Sequence, residues 1–205
     1  MASVWAYRPT SKPSVDDGQV REIADLQLSA RKPAILVGFG AVGAARDGNL
    51  LAQAELVHAP VATTLRAKGV FPEDHALALG CVGLYGTRIA NSYLRSGVDV
   101  LLTLGASFHE FTTHCWDPAF IPSRALVQVD IDPTEIGKNY PVTLGVVSDA
   151  QVVLEALVTE IGNRRRQGED ITAHKKESEY FDEEDMHSDV VPVKPQRLMK
   201  ELRAA

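Results

Sequence analysis

The sequence predicts an α/β domain built on a parallel sheet covered by helices on both sides. Two patterns predict it: short runs apolar at successive positions, such as "AILVG", "VDVLLTL" and "ALVQVDI", and the helix-compatible stretches between them. In such a sheet the ligand-bearing loops lie at the carboxyl ends of the strands.

In order, residues 1–15 carry Pro9 and Pro13 among Ser and Thr and read as an extended linker. "VDDGQVREIADLQLSARKP" spaces Val20, Ile23, Ala24 and Leu28 at three and four residues, a helical stripe that Pro33 closes while opening a strand. "AILVG" is that strand. A glycine turn follows, then the helix "GNLLAQAELVHA", which starts after Gly48. "PVATTL" is the second strand, "GTRIANSYLRSG" a helix ended by Gly97, and "VDVLLTL" the clearest strand of all. "ALVQVDI" and "VTLGVV" complete the strands. In the final helix, "SDAQVVLEALVTEIG", Ser148 and Gln151 are spaced as a capping box, and Val153, Leu157 and Ile161 form one stripe. Residues 16–163 make up this domain.

Residues 164–190 shift to runs of like charge, first basic and then acidic, as in a charged linker or a long surface helix. Residues 191–205 resume apolar periodicity, and a helix beginning near Pro195 reads as the opening of a further domain.

The bulk composition narrows the function. Of 205 residues, 45% are hydrophobic and 23% charged, the balance of a globular protein. A formal charge of -6 offers no basic field for nucleic acid or an anionic membrane. No apolar stretch approaches the ~20 residues of a membrane helix, and the start lacks the apolar core of a secretory signal. Two cysteines, Cys81 and Cys115, fit a reducing compartment, so the expected location is cytoplasmic.

"ILVGFGAVGAA" sets Gly38, Gly40 and Gly43 at the G-x-G-x-x-G spacing of a dinucleotide turn. That fingerprint also needs an acid about 20 residues on, at the end of the second strand. Here that strand ends in Thr63, Thr64, Leu65 and Arg66. Arg66 leaves room for a 2′-phosphate, so an autonomous NADP-dependent oxidoreductase is the second reading. A non-enzymatic adenine-nucleotide module, using the glycines and Asp130, is the third. Asp130 and Asp132 alternate at a strand end and would share a face. Asp132, Pro133 and Glu135 also fit the N-cap, first position and capping partner of a helix. The loop "GASFHEFTTHCWDP" carries His109, Glu110, His114 and Cys115 at no recognised zinc spacing and reads as a polar loop above a cleft. No catalytic constellation and no metal site emerge from the chain.

As an ordered set, "PAILVGFGA", "PVATTLRAKG", "GLYGTRIANSYLRSGVDVLLTLGASF", "VQVDIDPTEIGKN" and "VSDAQVVLEAL" resemble the central domain of thiamine-diphosphate (ThDP)-dependent enzymes of the acetolactate synthase group. The resemblance spans roughly residues 32–161. It implies a Rossmann-like, three-layer fold of six parallel strands with no chemistry of its own. ThDP and magnesium would be held by flanking pyrimidine-binding and diphosphate-binding domains of a homodimeric or homotetrameric parent, which forms or cleaves carbon–carbon bonds next to a carbonyl. The diphosphate-binding motif G-D-G is absent here, so the chain alone is expected to be inactive. The resemblance also implies an optional FAD or ADP on this domain. It would lie against Gly38, Gly40, Thr64, Leu65, Gly83, Gly86, Gly105 and Ser107, with Asp130 and Ile131 at the adenosine end. Where FAD-binding members show an R-F-D-D-R-like run, this chain has Ser107, Phe108, His109, Glu110 and Phe111, with both arginines replaced. A decarboxylase, lyase or acyl-transferase parent stays open beside acetolactate formation.

Overall fold

A computed structural model describes residues 12–165 and 186–204. The chain divides into two compact units, residues 1–175 and 176–205. In the first, six strands form one all-parallel sheet: β1 (Pro33–Val37), β2 (Val61–Thr63), β3 (Ala78–Cys81), β4 (Val100–Leu104), β5 (Ala125–Asp130) and β6 (Leu144–Val147). Their order is β3-β2-β1-β4-β5-β6. Helices α1 (Asp17–Leu28), α2 (Asn49–Leu56), α3 (Arg88–Arg95) and α5 (Ala150–Arg165) cover it, and α4 (Glu110–Thr113) is a single helical turn after β4. In the second unit, α6 spans Pro195–Ala204. The expected linkers fall mostly on residues 1–11 and 166–185, outside the described residues. Among the described residues no helix is long and apolar enough to cross a membrane.

Side-chain alternation along the strands divides the core. Ala34 and Leu36 of β1, Leu101 of β4 and Leu126 of β5 pack with Ala90 and Leu94 of α3. The alternate residues Ile35, Leu102 and Val127 point to the opposite face, where α5 packs beside α1 and α2. All three are 0% exposed, so both faces are sealed. Each such side chain stabilises the fold by about 1.5–3 kcal/mol through burial. The α5 stripe is as expected, with Val153, Leu157 and Ile161 fully buried. On α1, however, Gln27 rather than Leu28 is buried, and it accepts a 2.6 Å hydrogen bond from Gln53 of α2.

Three local expectations change. First, β3 escaped the apolar pattern because it is short and holds Gly80 at φ +81, where pairing with β2 slips register. Second, α5 is capped by Asp149, whose carboxylate accepts from the Gln151 N–H at 2.9 Å; the Ser148 hydroxyl instead donates to the Pro13 carbonyl. Third, Asp132 starts no helix. Its carboxylate accepts from the N–H and hydroxyl of Thr134, closing a turn that Gln128, buried on β5, pins through Glu135 O and Gly137 N–H.

At the centre of the sheet the strand order reverses between β1 and β4, and the loops after these parallel strands meet. The Gly38 N–H donates to Leu104 O at 2.8 Å and the Gly40 N–H to Gly105 O at 3.1 Å. A Cβ on Gly38 would sit 2.1 Å from Gly105 O, and one on Gly105, at φ +57, would sit 2.6 Å from Ala41 N. Backbone packs on backbone here, and only glycine allows it. Gly43 has ordinary helical dihedrals (φ -66, ψ -40) and nothing within 4 Å of a Cβ. Urea unfolding should therefore separate these glycines. Gly105→Ala should lose about 2–4 kcal/mol through strain and overlap, whereas Gly43→Ala should be neutral or stabilising by up to about 1 kcal/mol.

Candidate functional site at the switch point

The reversal of strand order opens a cleft of about 610 Å³ at the carboxyl ends of β2, β1, β4 and β5. Gly38, Phe39 and Gly40 line it after β1; Thr64, Leu65 and Arg66 after β2; Gly105 to His109 after β4, joined by Phe111 and Thr112; Asp130 closes β5. Thus Gly38, Gly40, Thr64, Leu65, Gly105, Ser107 and Asp130 come together. Gly83, Gly86 and Ile131 are not on the lining.

Gly83 and Gly86 act one layer back. A Cβ on Gly83 would lie 2.2 Å from Phe111 O, and one on Gly86 lies 2.4 Å from Cys81 O. The Gly83 N–H donates to Asn91 Oδ1 and Asn91 Nδ2 donates to Gly83 O, both at 2.9 Å. This pairing fixes the Asn91 amide, so His114 Nε2, 3.0 Å from the same Oδ1, must carry a proton. The loop after β4 is thereby tied to α3.

That loop is strained and firmly held. Phe108, His114, Cys115 and Trp116 all have φ between +50 and +61, the left-handed region. Trp116 Nε1 donates to Phe108 O at 3.1 Å, Asn139 Nδ2 to Ser107 O at 2.8 Å, and Tyr140 OH to Asp117 O at 2.9 Å. The Phe108 side chain is buried against Tyr140 in an edge-to-face pair. His109, Glu110, His114 and Cys115 do not converge, and among the described residues no group of three His, Cys, Asp or Glu could hold a metal.

The cleft walls are apolar and unusually open. Phe39, Leu65, Tyr85 and Phe111 are each more than half exposed although large. Tyr85 and Phe111 stack at 6.4 Å, and the Arg66 guanidinium lies 4.2 Å from the centre of the Phe39 ring. The Thr64, Ser107 and Thr112 hydroxyls and the His109 ring have no hydrogen-bond partner among the described residues. Apolar planes, unused donors and a carboxylate at the β5 end are the kinds of group that could hold an adenine nucleotide. Sequence reasoning singled out Arg66, for a 2′-phosphate, but not Phe39 or Tyr85, because nothing in their spacing marks them as lining residues. The G-x-G-x-x-G spacing does not form the tight turn into a helix that its fingerprint describes, since Gly43 makes no close approach and the α-helix begins only at Asn49.

Burial raises the Asp130 pKa, with Glu135 and Asp132 adding repulsion, although its carboxylate accepts from the Asp132 N–H at 3.0 Å. A raised folded-state pKa means that the folded form holds its proton more tightly, so stability falls as pH climbs through that value. Asp130→Asn should accordingly melt higher than the native protein at pH 7, with the difference vanishing below about pH 4, near the pKa of an unperturbed Asp. Melting curves from pH 3 to 8 check it.

Residues 20–157 match the family described as "Thiamine pyrophosphate enzyme, central domain". A "Probable acetolactate synthase large subunit" of Methanocaldococcus jannaschii is 40% identical over 189 residues, covering 90% of this chain and 31% of the relative. An acetolactate synthase of Mycobacterium avium is 40% identical over 152 residues, 74% of this chain and 24% of its own length. The chain thus spans about a third or less of these relatives. A solved structure from Mycobacterium smegmatis, described as thiamin diphosphate-dependent, superposes with a TM-score of 0.64 at 23% identity, over 83% of this chain and 32% of that one, and speaks for the fold alone. The chain belongs to the thiamine pyrophosphate enzyme family, as its central domain.

Proposed function

We propose that this chain is the non-catalytic middle of a larger ThDP-dependent enzyme of the acetolactate synthase type, and that its cleft takes an adenine nucleotide, FAD or ADP. The observation that carries the first part is 40% identity over nine-tenths of the chain to a relative of about three times its length. Flanking pyrimidine-binding and diphosphate-binding domains would hold ThDP and magnesium. When bound, ThDP supplies a carbanion for bond formation or cleavage next to a carbonyl. This chain's own residues orient a nucleotide instead: Asp130 accepts from ribose, and the walls from Phe39 to Phe111 shield its rings from water. Exposed Leu198, Met199 and Leu202 on α6 agree with residues 191–205 opening the diphosphate-binding domain, whose core would cover them.

Expression of the full-length parent beside the 205-residue chain tests this reading. The parent should condense pyruvate only with ThDP and magnesium present, and the chain alone should form no product. A chain that oxidised NADPH alone, or a parent indifferent to ThDP, would overturn it. Flavin absorbance in the purified parent selects FAD over ADP.

A further inference from the structure

We infer that Arg66 is the anion anchor of the switch-point cleft and takes a phosphate of the bound ligand, an inference that rests on the nucleotide reading above. Arg66 is the only Lys or Arg among the residues lining the cleft. Three arginines elsewhere on the domain have their N–H groups engaged: Arg95 with Asp117, Arg164 with Asp25 and Glu160, and Arg124 with the carbonyls of Ser29 and Leu26. Arg66 has no carboxylate or carbonyl partner among the described residues. It stands over the ring of Phe39, itself 56% exposed at the cleft mouth. The ring contact gives the guanidinium a fixed neighbour and leaves its N–H groups without a protein acceptor, and arginine grips a phosphate through such N–H groups by two parallel hydrogen bonds.

Position adds the second argument. Arg66 follows β2 and Asp130 ends β5, with β1 and β4 between them. Three inter-strand spacings, about 14 Å, separate the strands that carry the two charges, and the Arg66 guanidinium reaches over Phe39, beyond the end of β1. The unpartnered hydroxyls of Thr64, beside Arg66 after β2, and of Ser107, after β4, lie on the same lining. A ligand that donates at one end and is anionic at the other suits this polarity: ribose hydroxyls toward Asp130, phosphate toward Arg66. With Ser107 and Phe111 replacing the arginines of the R-F-D-D-R-like run, Arg66 supplies the cleft's fixed positive charge from the other side of the glycine pair.

Titration calorimetry of ADP and adenosine against the native protein, Arg66→Gln and Arg66→Lys tests the assignment. ADP should bind about tenfold or more weakly to Arg66→Gln, Arg66→Lys should recover part of the loss, and adenosine should bind all three alike. Added salt should weaken ADP binding to the native protein more than to Arg66→Gln. Equal ADP affinity for native protein and Arg66→Gln would overturn the assignment and leave the nucleotide reading standing. If the native protein bound neither ADP nor adenosine, that reading would fall and the assignment with it. Because Arg66 is exposed, unchanged melting temperatures should show that all three proteins are folded.

Discussion

The structure turns on the contact of two backbones without side chains between them. Where β1 and β4 lie side by side and the chain leaves them toward opposite sides of the sheet, Gly38 rests on Gly105 at a distance no Cβ could share, and a Cβ on Gly40 would be pressed to 3.0 Å from Gly105 Cα. The contact closes two main-chain hydrogen bonds at the top of the sheet. It also keeps the two loops low, so that space opens above them. Every wall of the cleft is placed relative to this contact: Phe39 follows Gly38 directly, and Ser107 stands two residues after Gly105. A glycine pattern that resembles nucleotide-binding turn chemistry is thus explained first by the protein touching itself.

A second constraint keeps the space open. The loop after β4 runs through four non-glycine residues in left-handed conformations, each costing about 1–2 kcal/mol. Such strain persists only where neighbours over-determine it. Here a tryptophan, an asparagine and a tyrosine hold its main-chain carbonyls, a buried Phe108 nails it to the core, and His114 joins it to α3 through Asn91. The cost maintains a shape, with Phe111 and Tyr85 facing water in place of packing inward. Asp130, kept half-buried with acids nearby, follows the same trade of stability for a poised site.

Much of this was legible in the sequence. Apolar runs such as "VDVLLTL" could be buried on both faces only in a covered parallel sheet. What stayed hidden depended on tertiary partners. Gly80 concealed β3, because a bulge pairs on geometry that local pattern does not encode. Asp132 and Ser148 had the chemistry of helix caps, yet one closes a turn held by Gln128 and the other bonds to Pro13, 135 residues away. Gly83 and Gly86 resembled ligand contacts, and their close neighbours are Phe111 and Cys81. Arg66 and Phe39 belong to different loops, and only the adjacency of β1 and β2 brings the guanidinium over the ring.

The central claim is that one nucleotide site sits above the Gly38–Gly105 contact. Amide chemical-shift mapping during an ADP titration tests it most directly. The account predicts shifts at residues 38–40, 64–66, 105–109 and 130–131, with α1 and α5 silent. Saturating ADP that left these amides unmoved, or moved those of α1 and α5 in their place, would contradict it.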